Sequence, residues 1–371
     1  MKTKNYLIIL STLSLIVFPS FLKIEAKNVL NKENLQLVRH LYDISKIPHP
    51  KAVAFSPRGG EIWTTSLLNN KSGVSIFDSL TGKKIKDINL NKSGGVEIIF
   101  SNDSTKAYIS QMETAKIFEV ATATKEILRT FNTGGTWTKI LALSNDGEKL
   151  FASNWVSNNV SEINIENGKL IRKIKTVKTP RGLYPTKDGR YLYVAGFDKG
   201  EIQKIDLKTG LGKIIFKSGG AMRHIVADEE KNILYISDMG KNMIWKLNLL
   251  NDEVISFAKT DSHPNTVALS PDKKILFVSN RGKNFSATNY SRPGPEWGSV
   301  LLFETNTGRL LDAIIGGNQP TALSLSPDGE KLVFSNFLDA KLEIWGIPPS
   351  EILTANQSTF SKNYKKYIRK F

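Results

Sequence analysis

The chain has 371 residues, 40% of them apolar and 23% charged, and Lys and Arg outnumber Asp and Glu to give a formal charge of +16. That length allows several small domains or one large repetitive one, with enough apolar side chains for a sizeable core. With no cysteine there are no disulfides, no thiolate zinc site and no lipid-bearing cysteine, so the fold has to be stable through packing alone.

At the N terminus Lys2 and Lys4 precede an apolar run over 6–18, and the segment closes on Ala26. A charged start, an apolar middle and a small final residue are the order of a secretory signal peptide, expected over 1–26. Pro19 and the short span argue against a membrane-crossing helix, which needs about 20 apolar residues. Lys23 and Ile24 make the cleavage site imperfect, and an uncleaved N-terminal anchor is the alternative. The expected location is outside the cytoplasm, in a periplasm or at a cell surface.

Residues 34–45 (NLQLVRHLYDIS) read as a strand, and after them one phrase keeps returning: LALSNDGEKLFASN at 141–154, VALSPDKKILFVSN at 267–280 and LSLSPDGEKLVFSN at 323–336. The apolar residue just before each turn is Phe55, Phe100, Leu143, Pro185, Ala227, Leu269 and Leu325, at intervals of 45, 43, 42, 42, 42 and 56 residues. Each unit reads as four short strands. The first ends in a Pro/Asn-Asp-Gly turn, a strong hairpin signal. The second is rich in Val, Phe and Tyr, and the third ends in a Thr-Gly or Asn-Gly turn before a more polar fourth strand.

Units of about 40 residues made only of strands and turns predict β-propeller blades. No helical pattern separates the strands, which excludes an α/β sheet. The seventh unit stops after its third strand at 341–347, and 34–45 supplies the missing fourth. The expected fold is all-β: a seven-bladed β-propeller of four-stranded antiparallel blades over 27–347, closed by an N-terminal strand completing the last blade.

The second strands LYVAGF, LYISDM, LFVSNR and LFASNW, with IDLKTG and FETNTG after the third, resemble the YVTN family of β-propeller repeats over roughly 50–347. The Trp-Asp dipeptide of WD40 repeats is absent. The resemblance implies a microbial protein that is exported or displayed on the surface. Related propellers include lactonases and modules beside redox enzymes, so it leaves the chemistry open.

In a propeller the loops leading into first strands and those joining second to third strands share one face. Two residues before the first-strand Val or Leu, the units carry Lys51, Val96, Lys139, Arg181, Arg223, Asn265 and Thr321. Four of these seven are basic and none is acidic. Cations converging on a low-dielectric channel attract anions, and Arg can hold a carboxylate or phosphate in two parallel hydrogen bonds. An anion-binding funnel of Lys51, Lys139, Arg181 and Arg223 is expected, with Trp137, His49 and His263 around it. The expected partner is an anionic small molecule, a glycan or a protein; the alternative is a set of solvated cations in a Lys-rich chain.

No strong catalytic motif is present. Glu97 and His224, on inner strands three blades apart, form the one plausible general acid/base couple and point to a lactonase-like hydrolase as the alternative function. A third reading is an accessory module for a periplasmic redox enzyme. His49 and His263 each begin a His-Pro at the same blade position, but no metal site and no cofactor are expected. The Pro-Asp-Gly turns are structural, and Asn154, Asn280 and Asn336 are expected to cap turns. The insertion at 281–299, with Tyr290, Arg292 and Trp297, reads as a lid, a docking loop or a floppy segment. Residues 348–371 read as a basic tail, solvated or in peripheral contact with an anionic cell surface. Nucleic acid is not an expected partner, because the leader directs the chain out of the cytoplasm, and a monomer is expected.

Overall fold

The hairpin over 326–331 shows how the repeat builds its first turn. The Gly329 N–H donates to the Ser326 carbonyl at 2.9 Å, and the Ser326 N–H donates to the Lys331 carbonyl at 2.9 Å. Gly329 takes φ 76°, which a residue without a Cβ adopts at no steric cost. Asp328 accepts from the Ser326 hydroxyl and the Glu330 N–H. Hydrogen bonding to Ser326 is the main cause holding its carboxyl below the usual range. Ser144, Asp146 and Gly147 repeat the arrangement.

The computed structural model describes residues 35–67, 73–283, 292–356 and 358–370. The expected signal segment 1–26 and Tyr290 lie outside them. Among the described residues the strands form seven four-stranded antiparallel sheets. The inner strands are Pro50–Phe55, Glu97–Phe100, Thr138–Leu143, Pro180–Pro185, Met222–Asp228, Pro264–Leu269 and Pro320–Leu325. Each lies beside the next, and Pro320–Leu325 lies beside Pro50–Phe55, so the sheets close into a ring as expected.

The closing blade joins both ends of the chain. Arg39–Ser45 pairs antiparallel with Lys341–Gly346 as the outer strand of blade seven, with Asp43 opposite Glu343. No unpaired edge is left where the first and last units meet.

Second strands such as Ile275–Asn280 are buried along their whole length, because neighbouring blades cover both of their faces. This is why they read as continuous apolar runs rather than as alternation. Phe151 of blade three, for example, packs with Leu192, Val194 and Ile205 of blade four. Outer strands such as Lys84–Ile88 are mostly exposed.

The chain after the last strand departs from the reading of a solvated tail. Ser350–Ala355, Phe360–Asn363 and a 3-10 turn at Tyr364–Tyr367 run against blade six. Leu353, Tyr364 and Ile368 are buried there with Leu302, Leu311, Leu301 and Phe303. The Tyr364 hydroxyl donates to Asp261 at 2.9 Å. Trp297 of the insertion donates its backbone N–H to the Arg369 carbonyl at 2.9 Å. The apolar residues of this segment anchor it while its lysines stay outside. None of the helices among the described residues is long and apolar enough to cross a membrane.

Candidate functional site

The inner strands are irregular where the ring residues sit. In six of the seven blades the pairing of inner with second strand shifts register, between Pro50 and Val53, Thr138 and Leu141, Pro180 and Leu183, Met222 and Ile225, Pro264 and Val267, and Pro320 and Leu323. Lys51, Lys139, Arg181, Arg223, Asn265 and Thr321 fall inside these bulges, which re-aim side chains that regular pairing would hold in the pleat.

A bulge leaves an N–H without its ladder partner, and the recurring Ser-Asn of the second strands supplies one. Ser153 accepts from the Ile140 N–H at 3.0 Å, Ser279 from Thr266 at 3.1 Å and Ser335 from Ala322 at 3.0 Å. The following Asn fastens the loop into the inner strand: Asn154 accepts from the Thr138 hydroxyl at 2.7 Å, and Asn336 accepts from the Gly317 N–H at 2.9 Å. A Cβ on Gly135 would stand 2.1 Å from Asn154 Cγ, so glycine is required at that approach.

His49, Trp137 and His263 occupy one backbone position with left-handed φ of 48°, 58° and 61°, shared by Thr179 and Gln319. Non-glycine residues there cost about 1 kcal/mol or more each. Their carbonyls accept N–H groups from Leu67, Trp155 and Arg281 at 3.1, 3.0 and 3.0 Å, just past the second strands. The two His side chains are engaged locally. The His49 ring packs on Phe337 at 5.2 Å, and His263 Nδ1 lies 2.8 Å from the Gly282 carbonyl. Neither lines the channel cavity.

That cavity, of about 360 Å³, is lined by Lys51, Glu97, Arg181, Arg223 and His224, with Asn265 and Thr321 beside them. Lys51, Arg181 and Arg223 are only 7%, 5% and 6% exposed. Lys139 does not join them; its ammonium lies 4.4 Å from the centre of the Trp155 ring and 5.4 Å from that of Trp137. Trp137 is 43% exposed at this outer rim.

Arg281, 2% exposed, is the cation that the repeat alignment missed. It is the first residue after a second strand, in the series Leu67, Met112, Trp155, Phe197, Met239, Arg281 and Phe337. The final letters of LFASNW, LYVAGF and LFVSNR carried that signal. This series forms a shelf over the basic ring. Trp155 and Phe197 pack at a tilt with ring centres 4.8 Å apart, Arg181 lies 5.5 Å from the Trp155 ring, and Lys51 lies 5.3 Å from that of Phe337. Asn265 accepts from Arg223 Nε and donates to the Thr321 carbonyl at 2.9 Å, while Arg281 donates to Gln319.

The electrostatics follow from crowding cations in a dry place. Burial, then Arg223, Arg281 and Arg181, push the Lys51 ammonium well below the usual range. Burial lifts Glu97 to about 7, against the opposing pull of the Ile98 N–H, Arg181 and Lys51. Burial, then Arg181 and Arg223, lower His224 to about 4. His224 is therefore neutral near pH 7, and Glu97 exchanges its proton there.

One group of metal-ligating side chains comes together among the described residues: His40, Asp43 and Glu343, within 4.8 Å of one another. It lies on the outer half of blade seven, away from the channel, and Lys341 already pairs with Asp43 at 3.2 Å and Glu343 at 3.0 Å.

No family model matches the chain. A stretch of 119 residues, 31% of this chain, is 32% identical to Antigen Lp49 of Leptospira interrogans serogroup Icterohaemorrhagiae serovar copenhageni, and it spans 26% of that protein. Among solved structures, hydrazine synthase of Kuenenia stuttgartiensis superposes with a TM-score of 0.68 over 81% of this chain and 96% of that one, at 15% identity. That likeness extends to the fold and no further.

Proposed function

We propose that the protein is an exported, non-catalytic β-propeller that binds an anionic ligand at the basic mouth of its channel. The observation that carries this reading is the convergence of Lys51, Arg181 and Arg223, each nearly buried, on a cavity whose described lining has one carboxyl, Glu97, with the buried Arg281 close enough to Lys51 to repel its ammonium. Buried cations held at mutual Coulombic cost are stabilised by an anion more than by water. The leader-like N terminus and the YVTN-type repeats support export.

The test is a thermal-shift and calorimetric screen of sugar phosphates and organic acids. The expected result is a saturable ligand whose affinity falls at least tenfold in an Arg181→Ala/Arg223→Ala variant, since each charge-assisted hydrogen bond contributes about 1.5–3 kcal/mol. Unchanged affinity would refute the site.

One observation favours a second reading. Glu97 at about 7 is poised as a general acid or base near neutrality, as a lactonase-like hydrolase in the channel requires. Arg181 and Arg223 would hold the substrate, and His224, a weak base at about 4, would orient it rather than take the proton. Lactone opening by the purified protein that is lost in Glu97→Gln would favour this reading over the first.

A further inference from the structure

Blades one, four, five and six bring charged or titratable groups to the cavity or its edge. Lys51 stands on the inner strand of blade one, Arg181 on that of blade four, and Arg223 and His224 on that of blade five. Arg281 follows the second strand of blade six. Lys139, on the inner strand flanking blade two, is drawn to the Trp155 ring at 4.4 Å. Among the described residues lining the cavity Glu97 is the only carboxylic acid. The Arg181 and Arg223 guanidiniums do not deprotonate, and with a protonated Lys51 the cations lining the cavity outnumber the Glu97 carboxylate by two.

We infer that the channel site binds a small dianion and that Glu97 takes up a proton as it binds. This rests on the anion-binding reading above and adds the ligand's charge and its coupling to pH. A dianion offsets the excess of two positive charges. Its approach also disfavours a second anion beside it, the Glu97 carboxylate. The protonated carboxyl then donates an O–H to the ligand where the carboxylate would repel it.

The free group already sits at about 7, so the shift needed is small. Above that value binding draws in up to one proton, and affinity falls by up to about tenfold per pH unit. His224, at about 4, stays neutral throughout and contributes nothing. Lys51 is the competing proton acceptor, because an anion also raises a depressed ammonium, and the experiment has to separate the two.

The probes are sulfate and oxalate, neither of which titrates near neutrality, with ionic strength held constant by chloride. Calorimetry in two buffers of different ionisation enthalpy counts the protons taken up at about pH 7.5. The expected result is uptake of up to about three-quarters of a proton per site and affinity that falls several-fold from about pH 7 to about pH 8. Glu97→Gln, nearly isosteric, is expected to bind with no uptake and no pH dependence, while Lys51→Met binds more weakly but still takes up the proton. Binding to the unaltered protein without uptake, or uptake that survives in Glu97→Gln and vanishes in Lys51→Met, overturns the inference and leaves the anion site standing. Failure of both probes to saturate the unaltered protein overturns the anion site and this inference with it.

Discussion

Burial moves Glu97 and His224 of the channel so that their effects on stability oppose each other with pH. Glu97 rises from 4.5 to about 7 on folding, so its contribution is full below 4.5 and is lost as pH climbs through 7. His224 falls from 6.5 to about 4, so its contribution is full above 6.5 and is lost as pH drops through 4. Each shift corresponds to about 3 kcal/mol at most by linkage. Between 4.5 and 6.5 the two nearly cancel. The unaltered protein should therefore show a flat profile there in urea denaturation. Glu97→Gln should gain stability as pH rises through that window, and His224→Asn should lose it. Flat profiles in both variants would contradict the assignment. These residues were legible in the sequence because the repeat has a constant register and a position counted from the turn recurs in every blade. Arg281 was not, because its place is counted from the second strand. Lys139 shares the register, yet two indole rings draw its ammonium away from the cavity.

At the scale of the strand, adjacent blades are tied by arginines on outer strands. Arg172, on Leu170–Lys175, holds the buried Glu162 at 2.6 Å and donates to the Leu207 carbonyl of the next blade. Arg129 does the same one blade earlier, with Glu119 at 2.9 Å and the Glu166 carbonyl at 2.7 Å. Removing one partner of a buried pair leaves a charge without compensation, at about 3–5 kcal/mol. Lys149 remains 3.0 Å from Glu162, so Arg172→Met should cost about 3 kcal/mol in urea denaturation, the low end of that range, and Glu162→Gln in the same chain should recover part of it. A loss no larger than that of an exposed lysine would show that the clamp is idle. The sequence carried the strands and turns well, since hairpin chemistry is local. It did not reveal the docking of 350–356 and 358–370. Leu353, Tyr364 and Ile368 are spaced too sparsely among lysines to show a period, and what orders them is an apolar strip on blade six.

At the scale of the molecule, the ring and the site depend on each other. Lys51, Arg181, Arg223 and Arg281 belong to blades one, four, five and six and meet only because the sheets close through Arg39–Ser45. The repeat count and the use of the N-terminal strand were both legible, because a seventh unit short of one strand needs a partner and the chain offers one strand without a unit. The identity of the ligand was not, because blade packing fixes where side chains converge and leaves their chemistry to a few positions. The most direct test of the basic channel site is anomalous diffraction from a crystal soaked in selenate. A peak within hydrogen-bonding reach of Arg181 and Arg223 is the result expected; an empty channel with selenate only at outer lysines, such as Lys362 and Lys366, would contradict it.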